Sequence, residues 1–381
     1  MLKRLTLSVL LLSASVRATA GDLPLRAPAD FDRSGTSDLL WRNSESGETV
    51  AWLMSGAASV VFPVGGVDPP WKVAGFGDFS CDGNADVVWR NPSTGDNGLF
   101  LMDGASATIV LLPSVKDPAW KIEAVADFEG NGHAGIMWRN AASGASKVWL
   151  MDYWLVEVSA DLPRHASKQW KVVGAGDLQG DGKADLIWRN SATGENAVWL
   201  MDGRRLAARE AIPPVTDLNW RVAGVGDFQG DGMADILWRH RLSGDNQLWL
   251  MSGSKLAARA DVRPVRDPAW RVAMVGDFQG DGKADILWSH AVAGLHTVWF
   301  MDGGSGETSV PLTAVPDPSF QVVTGQDPVP IMFYRDVDGD GHGAASLSVE
   351  AIFAPPGYVL LADDCDDSDA KQGPCPDPSA K

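Results

Sequence analysis

An aspartate, a glycine five residues later and a tryptophan eleven residues later recur together six times in this chain, at intervals of 48 to 50 residues. A second aromatic residue follows each of these tryptophans after eleven positions, and a methionine comes two positions after that. A third aromatic residue closes each unit, so 16 of the 17 tryptophans lie on one lattice, with Trp154 as the exception. Self-similarity at this period predicts a stacked or circular array of one supersecondary unit.

Each unit has the pattern of four short β-strands separated by turns. In the fourth unit we expect strands over residues 186–189, 196–201, 206–212 and 220–224. Turn signals at this spacing favour an all-β fold over helices. Six units of four strands predict an all-β fold, a six-bladed β-propeller. The constant spacing within the first two strands indicates an inner hairpin, and the variable spacing that follows indicates an outer strand with surface loops.

The first two strands of a unit predict a hairpin in which two aromatic residues face each other. If Thr193 and Gly194 form the centre of the turn, Trp188 lies directly opposite Trp199. Aromatic pairs across strands contribute about 0.2–1 kcal/mol each. The same arithmetic pairs Trp41 with Trp52 and Trp138 with Trp149.

The two ends of the array complement each other. The first unit has no Trp-Lys-Val strand before it, whereas the C-terminal end has a spare strand at Phe320–Gly325. We therefore expect Phe320–Gly325 to complete the sheet of the first unit and close the ring, which removes exposed strand edges. An open solenoid is the alternative, and a seventh blade that includes the tail also stays open.

The run Asp-Phe-Gln-Gly-Asp-Gly-Lys-Ala-Asp-Ile-Leu-Trp at 277–288 and its counterparts resemble the FG-GAP/VCBS repeats of integrin-type propellers and exported bacterial proteins. The resemblance covers residues 29–325, between a lead-in at 21–28 and a linker at 326–332. It implies a propeller with calcium-binding loops between strands. Proteins of this kind are mostly adhesion or ligand-binding modules, sometimes attached to enzymes.

The polar loop of each unit is a candidate calcium site. Calcium takes about six to eight oxygen ligands, with carboxylates at alternate loop positions and glycine at the bend. The loops at 177–185, 227–235 and 277–285, with three carboxylates each, are the strongest candidates, and the loop at 127–135 is the weakest because Gly135 ends it. The candidate ligands are Asp30, Asp32, Asp38, Asp78, Asp82, Asp86, Asp177, Asp181, Asp185, Asp227, Asp231, Asp235, Asp277, Asp281 and Asp285.

An alternative needs no ion, since aspartate, asparagine and glycine also build turns by capping backbone amides. Three converging carboxylates, however, raise one another's pKa and destabilise the fold unless a cation compensates them. We therefore expect calcium in some of the loops.

The first twenty residues match a secretory signal. Lys3 and Arg4 precede an apolar run, and Ala18-Thr19-Ala20 is a small-residue cleavage site. The pattern predicts cleavage near Ala20 and a secreted or periplasmic protein without membrane insertion. The formal net charge of −17 argues against nucleic-acid and anionic-membrane partners and is compatible with cations.

A second acidic segment follows the array. Residues 333–377 resemble the short acidic metal-binding motif of exported bacterial proteins, the MopE type, and 378–381 form a tail. Its candidate ligands are Asp336, Asp338 and Asp340, with a second acidic run at 363–369. Cys375 is a possible disulfide partner of Cys365, since the family's usual cysteine position holds Ile352 here. One family namesake implies copper, but nothing in these residues requires it, and a disordered acidic tail is the alternative.

The aromatic and arginine rows have two interpretations. Repeated tryptophans fit blade packing better than sugar binding, whereas Trp154 lies off the lattice and is the better candidate for a ligand contact. The arginines that follow the first tryptophans either line repeated ligand pockets or pair with neighbouring blades. Those taken as possible ligand contacts are Arg139, Arg189 and Arg239.

No catalytic constellation is recognisable in the sequence. It contains no Gly-x-Ser-x-Gly and no His-Glu-x-x-His pattern. We therefore expect a non-catalytic, exported binding or adhesion module for a glycan or protein ligand. A structural spacer and a propeller enzyme acting on polysaccharide are the alternatives, and fold alone does not decide among them.

Overall fold

The computed structural model describes residues 28–165, 167–304, 307–317, 319–323, 331–339, 341–351, 358–359 and 364. Within these ranges the protein consists of strands and turns without a helix, so no helix there could cross a membrane. The expected signal at 1–20 and both Cys365 and Cys375 lie outside the described residues.

Six antiparallel four-stranded sheets, here called blades one to six, confirm the expected six-bladed all-β architecture. Blade one contains β1 (Leu39–Asn43), β2 (Glu48–Ser55), β3 (Ala58–Gly66) and β24 (Phe320–Val323). Blade two contains β4 (Lys72–Gly77), β5 (Asp86–Arg90), β6 (Asn97–Asp103) and β7 (Ser106–Leu112). Blade three contains β8 (Trp120–Ala126), β9 (Gly135–Asn140), β10 (Ser146–Asp152) and β11 (Leu155–Leu162).

The other three blades repeat this plan. Blade four contains β12 (Trp170–Gly176), β13 (Asp185–Asn190), β14 (Asn196–Asp202) and β15 (Arg205–Ile212). Blade five contains β16 (Trp220–Gly226), β17 (Asp235–His240), β18 (Asn246–Ser252) and β19 (Lys255–Val262). Blade six contains β20 (Trp270–Gly276), β21 (Asp285–His290), β22 (His296–Met301) and β23 (Glu307–Pro311).

The strand that begins near the third aromatic residue is the innermost strand of the following blade. Innermost strands of neighbouring blades contact one another in the order β4, β8, β12, β16 and β20. The hairpin that we expected on the inside is therefore the middle pair of each sheet, because the preceding unit supplies the strand nearest the axis. The outermost strands, such as β15, alternate between exposed and half-buried residues as expected.

The core lies between the blades. Every residue of β13 is buried, because both faces of a middle strand pack against other layers. Trp188 is 0 % exposed and Ile187, on the opposite face, is 1 % exposed. Burying a large apolar side chain contributes about 1.5–3 kcal/mol to stability, so the repeated aromatic lattice supplies much of the packing between sheets.

Backbone hydrogen bonds join the six polar loops into a circle. In each loop the N–H of the eighth residue donates to the carbonyl oxygen of the first residue in the preceding loop. Five such bonds link consecutive loops, from Ala85 to Asp30, Ala134 to Asp78, Ala184 to Asp127, Ala234 to Asp177 and Ala284 to Asp227. The sixth, of 2.6 Å, runs from Ser37 to Asp277 and joins the first loop to the last.

The ends of the array also pair in one sheet. Strand β24 lies antiparallel to β1, with Val322 opposite Trp41 and Phe320 opposite Asn43. The pairing covers the expected strand from Phe320 to Val323, and its last residues, 324 and 325, lie outside the described residues.

The expected hairpin register is wrong by two residues. Trp188 lies opposite Ala197, and Trp199 lies opposite Leu186. The turn is centred one residue earlier than expected, because the N–H of Asn190 donates to the carbonyl oxygen of Glu195. The glycine that we placed at its centre is its last residue, with φ of 76°.

The same shift holds in the other hairpins, where Trp41 lies opposite Val50 and Trp138 opposite Lys147. The aromatic residues still touch, but diagonally: the ring centroids of Trp188 and Trp199 are 4.5 Å apart. Diagonal neighbours on one sheet face are within reach of aromatic side chains.

Three further strands form a separate sheet after the blades. They are β25 (Ile331–Arg335), β26 (Ala344–Ala351) and β27 (Tyr358–Val359), in the order β26-β25-β27. This sheet does not make a seventh four-stranded blade within the described residues.

Candidate metal centre

The first aspartate of each loop organises the backbone of that loop. Asp30 accepts the N–H of Ser34 on Oδ1 at 3.1 Å and the N–H of Gly35 on Oδ2 at 2.9 Å. Asp177 accepts the N–H groups of Gly180 and Gly182, both at 2.7 Å. These bonds explain the repeated Asp-to-Gly spacing, because a carboxylate that caps backbone amides stabilises a tight turn.

The ninth aspartate joins its loop to the strand that carries the second aromatic residue. Asp185 Oδ2 accepts the N–H of Leu178 at 3.2 Å, and Oδ1 accepts the N–H of Met201 at 2.8 Å. Asp185 is completely buried. The carboxylate therefore satisfies two buried backbone donors, one in the loop and one in β14.

Burial raises the pKa of the aspartate at the ninth loop position. Desolvation raises the pKa of the ninth carboxyl group in five loops, against the lowering effect of the two backbone hydrogen bonds. The raised pKa values are about 8 for Asp38, 7 for Asp86, 6 for Asp185, 6 for Asp235 and 7 for Asp285.

The first loop gathers three carboxylates. One oxygen each from Asp30, Asp32 and Asp38 lies within 4.8 Å of the others, which no other group of acidic or histidine side chains achieves among the described residues. The charges of Asp32 and Asp30 add to desolvation in raising the pKa of Asp38. Ser34 Oγ lies in the same loop, 2.8 Å from Thr36 Oγ1. An all-oxygen set of this kind fits a hard cation such as Ca²⁺.

The loops with the strongest sequence signal do not form such a group. At 177–185, 227–235 and 277–285 the third position is glutamine, and the three aspartates of each loop do not converge to the same degree. In two of them the seventh position of the loop is a lysine that pairs with an aspartate outside the loop. Lys183 pairs with Asp202, and Lys283 pairs with Asp302. Counting carboxylates missed this, because charge count does not show where each side chain points.

The second and third loops differ again. In the second loop Asp78 and Asp86 accept backbone N–H groups, and Asp82 lies 3.6 Å from Arg33 of the first loop. In the third loop Gly135 leaves no ninth carboxylate, and a Cβ there would lie 2.8 Å from the carbonyl oxygen of Trp149.

The acidic segments of the C-terminal sheet lie close together. Asp336 accepts the N–H groups of Gly339 and Gly341, and the N–H of Asp364 donates to the carbonyl oxygen of Gly343 at 3.3 Å. Asp338 lies in the same turn, and Asp340 lies outside the described residues. Metal binding by this segment stays a prediction.

The arginine row contacts protein groups at every described position. Arg189 donates to the carbonyl oxygens of Val215 and Trp220 at 2.9 and 3.2 Å and to Asn196 Oδ1 at 3.0 Å. Its guanidinium lies 5.0 Å from the ring centroid of Trp238 in the next blade. Arg239 makes the corresponding bonds to Val265 and Trp270 and stacks on Trp288, and Arg139 stacks on Trp188. These contacts favour the packing alternative.

One inter-blade contact breaks the row. Between blades six and one, Ser289 replaces the arginine, and the ring of His296 lies 4.7 Å from that of Trp41. Burial lowers the pKa of His296 to about 4, with Arg271 and His290 adding to the effect, so this imidazole is neutral near pH 7. The sequence held the signal, since Ser289 and His296 both depart from their repeat equivalents, but we did not connect them.

A central cavity of about 920 Å³ follows the axis of the ring. The innermost strands line it mainly with glycine, alanine and valine, and Arg271 and Phe76 break its symmetry. Sequence analysis did not anticipate which side chains face this space, because the innermost strand was assigned to the wrong layer.

Trp154 is 40 % exposed, unlike the buried first and second tryptophans of the lattice. It lies at the turn between β10 and β11, and its ring centroid is 6.0 Å from that of Tyr153. Its position at the surface is the one a ligand contact requires, and its role in binding stays a prediction.

Comparisons with known proteins support the repeat and the fold. A family model described as FG-GAP-like repeat matches residues 177–238 and 227–288. No curated protein shows a significant match to the chain. The six blades make this chain a β-propeller repeat protein, and its repeats within residues 177–288 are similar to FG-GAP repeats.

Solved structures of low sequence identity share the architecture. A chain of the nidogen/laminin complex is 12 % identical with a TM-score of 0.50, covering 76 % of this chain and 99 % of that one. Regucalcin from Agrobacterium tumefaciens, titled a calcium-binding protein, is 12 % identical with a TM-score of 0.45, covering 81 % and 94 %. A streptogramin B lyase is 9 % identical with a TM-score of 0.47, covering 77 % and 85 %. Likeness at this level concerns the fold alone.

Proposed function

We propose that this protein is an exported, calcium-binding β-propeller that acts as a non-catalytic binding or adhesion module for a glycan or protein ligand. The observation that carries the metal assignment is the convergence of Asp30, Asp32 and Asp38 in one loop. The N-terminal sequence supports export. The FG-GAP-like repeats and the ring of surface loops support a binding role, since loops on a rigid scaffold commonly carry recognition sites.

Asp30, Asp32 and Asp38 would hold the calcium ion, with Ser34 as a neutral oxygen donor. A bound divalent cation supplies positive charge that offsets the repulsion among these carboxylates. Asp30 and Asp38 hold the loop backbone and the Met54 amide in place. Asp32 is exposed, and its carboxylate accepts the N–H of Ser34 at 3.0 Å. Asp32 is therefore the member whose substitution changes metal binding with the least effect on the fold.

Calcium titration by isothermal calorimetry tests the metal assignment. We expect the wild-type protein to bind calcium and Asp32→Asn to bind it at least about tenfold more weakly, because the variant removes one anionic ligand. Asp161→Asn, at an exposed position of β11 in blade three, is the matched control and should bind like the wild type. Equal affinity in Asp32→Asn and wild type would refute the assignment to this loop.

Binding arrays of glycans and extracellular proteins, probed with and without calcium, test the module itself. A ligand bound with a defined affinity and not chemically altered supports the proposal. A spacer predicts no ligand in either array, and release of products from a bound polysaccharide would instead identify an enzyme.

A further inference from the structure

The third blade departs from the repeat at several neighbouring positions. At the turn between its two outer strands, the other five blades have a glycine with φ between 58° and 63°, at Gly56, Gly104, Gly203, Gly253 and Gly303. Blade three has Tyr153 there, with φ of 54°. A bulky residue in the left-handed region is strained, and such strain is characteristic of functional positions.

An exposed aromatic surface accompanies this turn. Trp154 is 40 % exposed and Leu155 is 62 % exposed. At the position of Trp154 the other blades have small or charged residues, namely Ala57, Ala105, Arg204, Ser254 and Gly304. Trp154 is thus available to solvent and has no counterpart in the repeat.

Ring contacts connect Trp154 to the polar loop of the same blade. The Tyr153 ring centroid lies 6.0 Å from that of Trp154 and 5.3 Å from that of His133. His133 in turn interacts electrostatically with Glu129. The same loop lacks the ninth carboxylate of the other loops, so the blade least suited to calcium carries these substitutions.

A surface cavity of about 200 Å³ adjoins Glu129 at the border with blade four. Its other lining residues are Lys183, Asp202, Gly203, Arg204 and Arg205. Glu157, on the outer strand of blade three, is close enough to add to desolvation in raising the pKa of Glu129. The cavity is therefore lined by two acidic side chains, Glu129 and Asp202, and by three basic ones, and Lys183 pairs with Asp202.

We propose that the surface from Trp154 of blade three through Glu129 to Arg204 of blade four is a binding site for a pyranose-containing oligosaccharide. An exposed indole stacks on the apolar face of a sugar ring, and the carboxylate and guanidinium groups of the cavity bind hydroxyl groups as acceptors and donors. The cavity is smaller than the roughly 300–1,000 Å³ of drug-sized sites, so it encloses one sugar unit while the rest of the chain runs over Trp154.

This inference rests on the proposed binding function and names its ligand class. Its test uses the full chain and four neutral probes, which are cellohexaose, xylohexaose, mannohexaose and chitohexaose, measured by isothermal calorimetry. We expect at least one probe to bind, and we expect Trp154→Ala and Glu129→Gln each to weaken it about tenfold or more. Leu111→Ala, which also shortens an exposed apolar side chain at 60 % exposure, should bind like the wild type.

Tyr153→Gly separates a binding role from a packing role. The substitution restores the glycine of the other five turns, so it should raise the unfolding temperature of the protein. It should also weaken binding of the oligosaccharide probe. A residue that served only packing would lower stability when removed and leave affinity unchanged.

Probe binding that persists within twofold in both Trp154→Ala and Glu129→Gln overturns this site but leaves the binding-module proposal standing. Failure of all four probes to bind the wild type also overturns the saccharide inference. The calcium titration and the protein array then decide separately on the proposed function.

Discussion

Asp185 shows at the residue scale why these repeats keep an acid at the ninth loop position. Its two carboxylate oxygens accept backbone N–H groups from Leu178, within the loop, and from Met201, in β14. A buried amide without an acceptor costs about 1–3 kcal/mol. The repeated aspartate is thus a structural residue in every blade that has it, whether or not the loop binds a metal.

Asp185→Asn should lower the free energy of unfolding by about 1–3 kcal/mol. The NH₂ group of asparagine cannot accept a hydrogen bond, so one of the two buried backbone N–H groups loses its acceptor. Urea unfolding at neutral pH measures the change. Asp152→Asn, at an exposed turn position, is the control and should stay close to the wild type. A loss no larger than that of the control would contradict the structural role.

The raised pKa values of the aspartates at the ninth loop position determine how the stability of the fold changes with pH. The pKa is about 8 for Asp38 and about 6 for Asp185, both above the ordinary aspartate value of 3.8. Between pH 4 and 8 the folded protein therefore holds protons that the unfolded chain has released. Stability then falls as pH rises through this window.

In EDTA we expect a higher unfolding temperature at pH 5 than at pH 8. Measuring both in 0.5 M NaCl screens repulsion among exposed charges more than the buried contribution. Adding calcium at pH 8 should recover part of the difference, since the ion favours the ionised carboxylates of the first loop. An unfolding temperature that rises from pH 5 to pH 8 in EDTA would contradict this account.

The main contact between elements is the arginine of one blade on the tryptophan of the next. Arg189, 3 % exposed, donates to protein acceptors of blade four and to a carbonyl of the next innermost strand while it stacks on Trp238. A planar guanidinium can serve several acceptors at fixed angles, whereas an ammonium group acts as a compact point charge. The stack therefore depends on arginine and not on positive charge alone.

Arg189→Lys should lower the free energy of unfolding by about 1–3 kcal/mol, because buried carbonyl oxygens lose their donors. Arg164→Lys, at an exposed loop position, is the control. Chemical denaturation of both variants checks the difference. Equal stabilities would show that the charge, and not the shape of the guanidinium, matters.

The hairpin turns carry the second prediction at this scale. Gly194 has φ of 76°, and a Cβ there would lie 2.1 Å from the carbonyl oxygen of Val215. Gly182 has a similar φ of 83° but no atom within 4 Å of such a Cβ. The pair separates backbone strain from a steric clash.

Gly182→Ala should cost about 1–2 kcal/mol from the left-handed backbone alone. Gly194→Ala should cost about 1–3 kcal/mol more, because overpacking adds to the strain. Thermal unfolding of the two variants compares them directly. If the two variants were equally stable, the position of the turn in the structure would be wrong.

The sequence predicted elements better than their exact partners. The strands of the fourth unit lie within two residues of their expected bounds, because turn residues and alternating apolar residues mark them clearly. The register was wrong, because a glycine with positive φ can be central or last in a turn and spacing alone does not distinguish these positions. Convergence of carboxylates was also unpredictable, since it depends on side-chain direction within the loop.

At the scale of the whole molecule, one repeated unit closes on itself. Each unit gives its last strand to the next sheet, and β24 fills the vacant position in the first. The sequence contained this arrangement as a missing strand at one end and a spare strand at the other. It did not show that the contact between blades six and one would replace arginine by His296 against Trp41.

The closed ring is the claim on which the other inferences depend. Hydrogen–deuterium exchange monitored by mass spectrometry measures it, because amide protection reports local opening. The first set of peptides covers the ring closure and contains Ser37, Trp41 or β24. Their amides should exchange as slowly as those of the repeat-equivalent peptides that contain Ala234, Trp238 or β16. Rapid exchange in the first set, with the second protected, would show an open array and contradict the account.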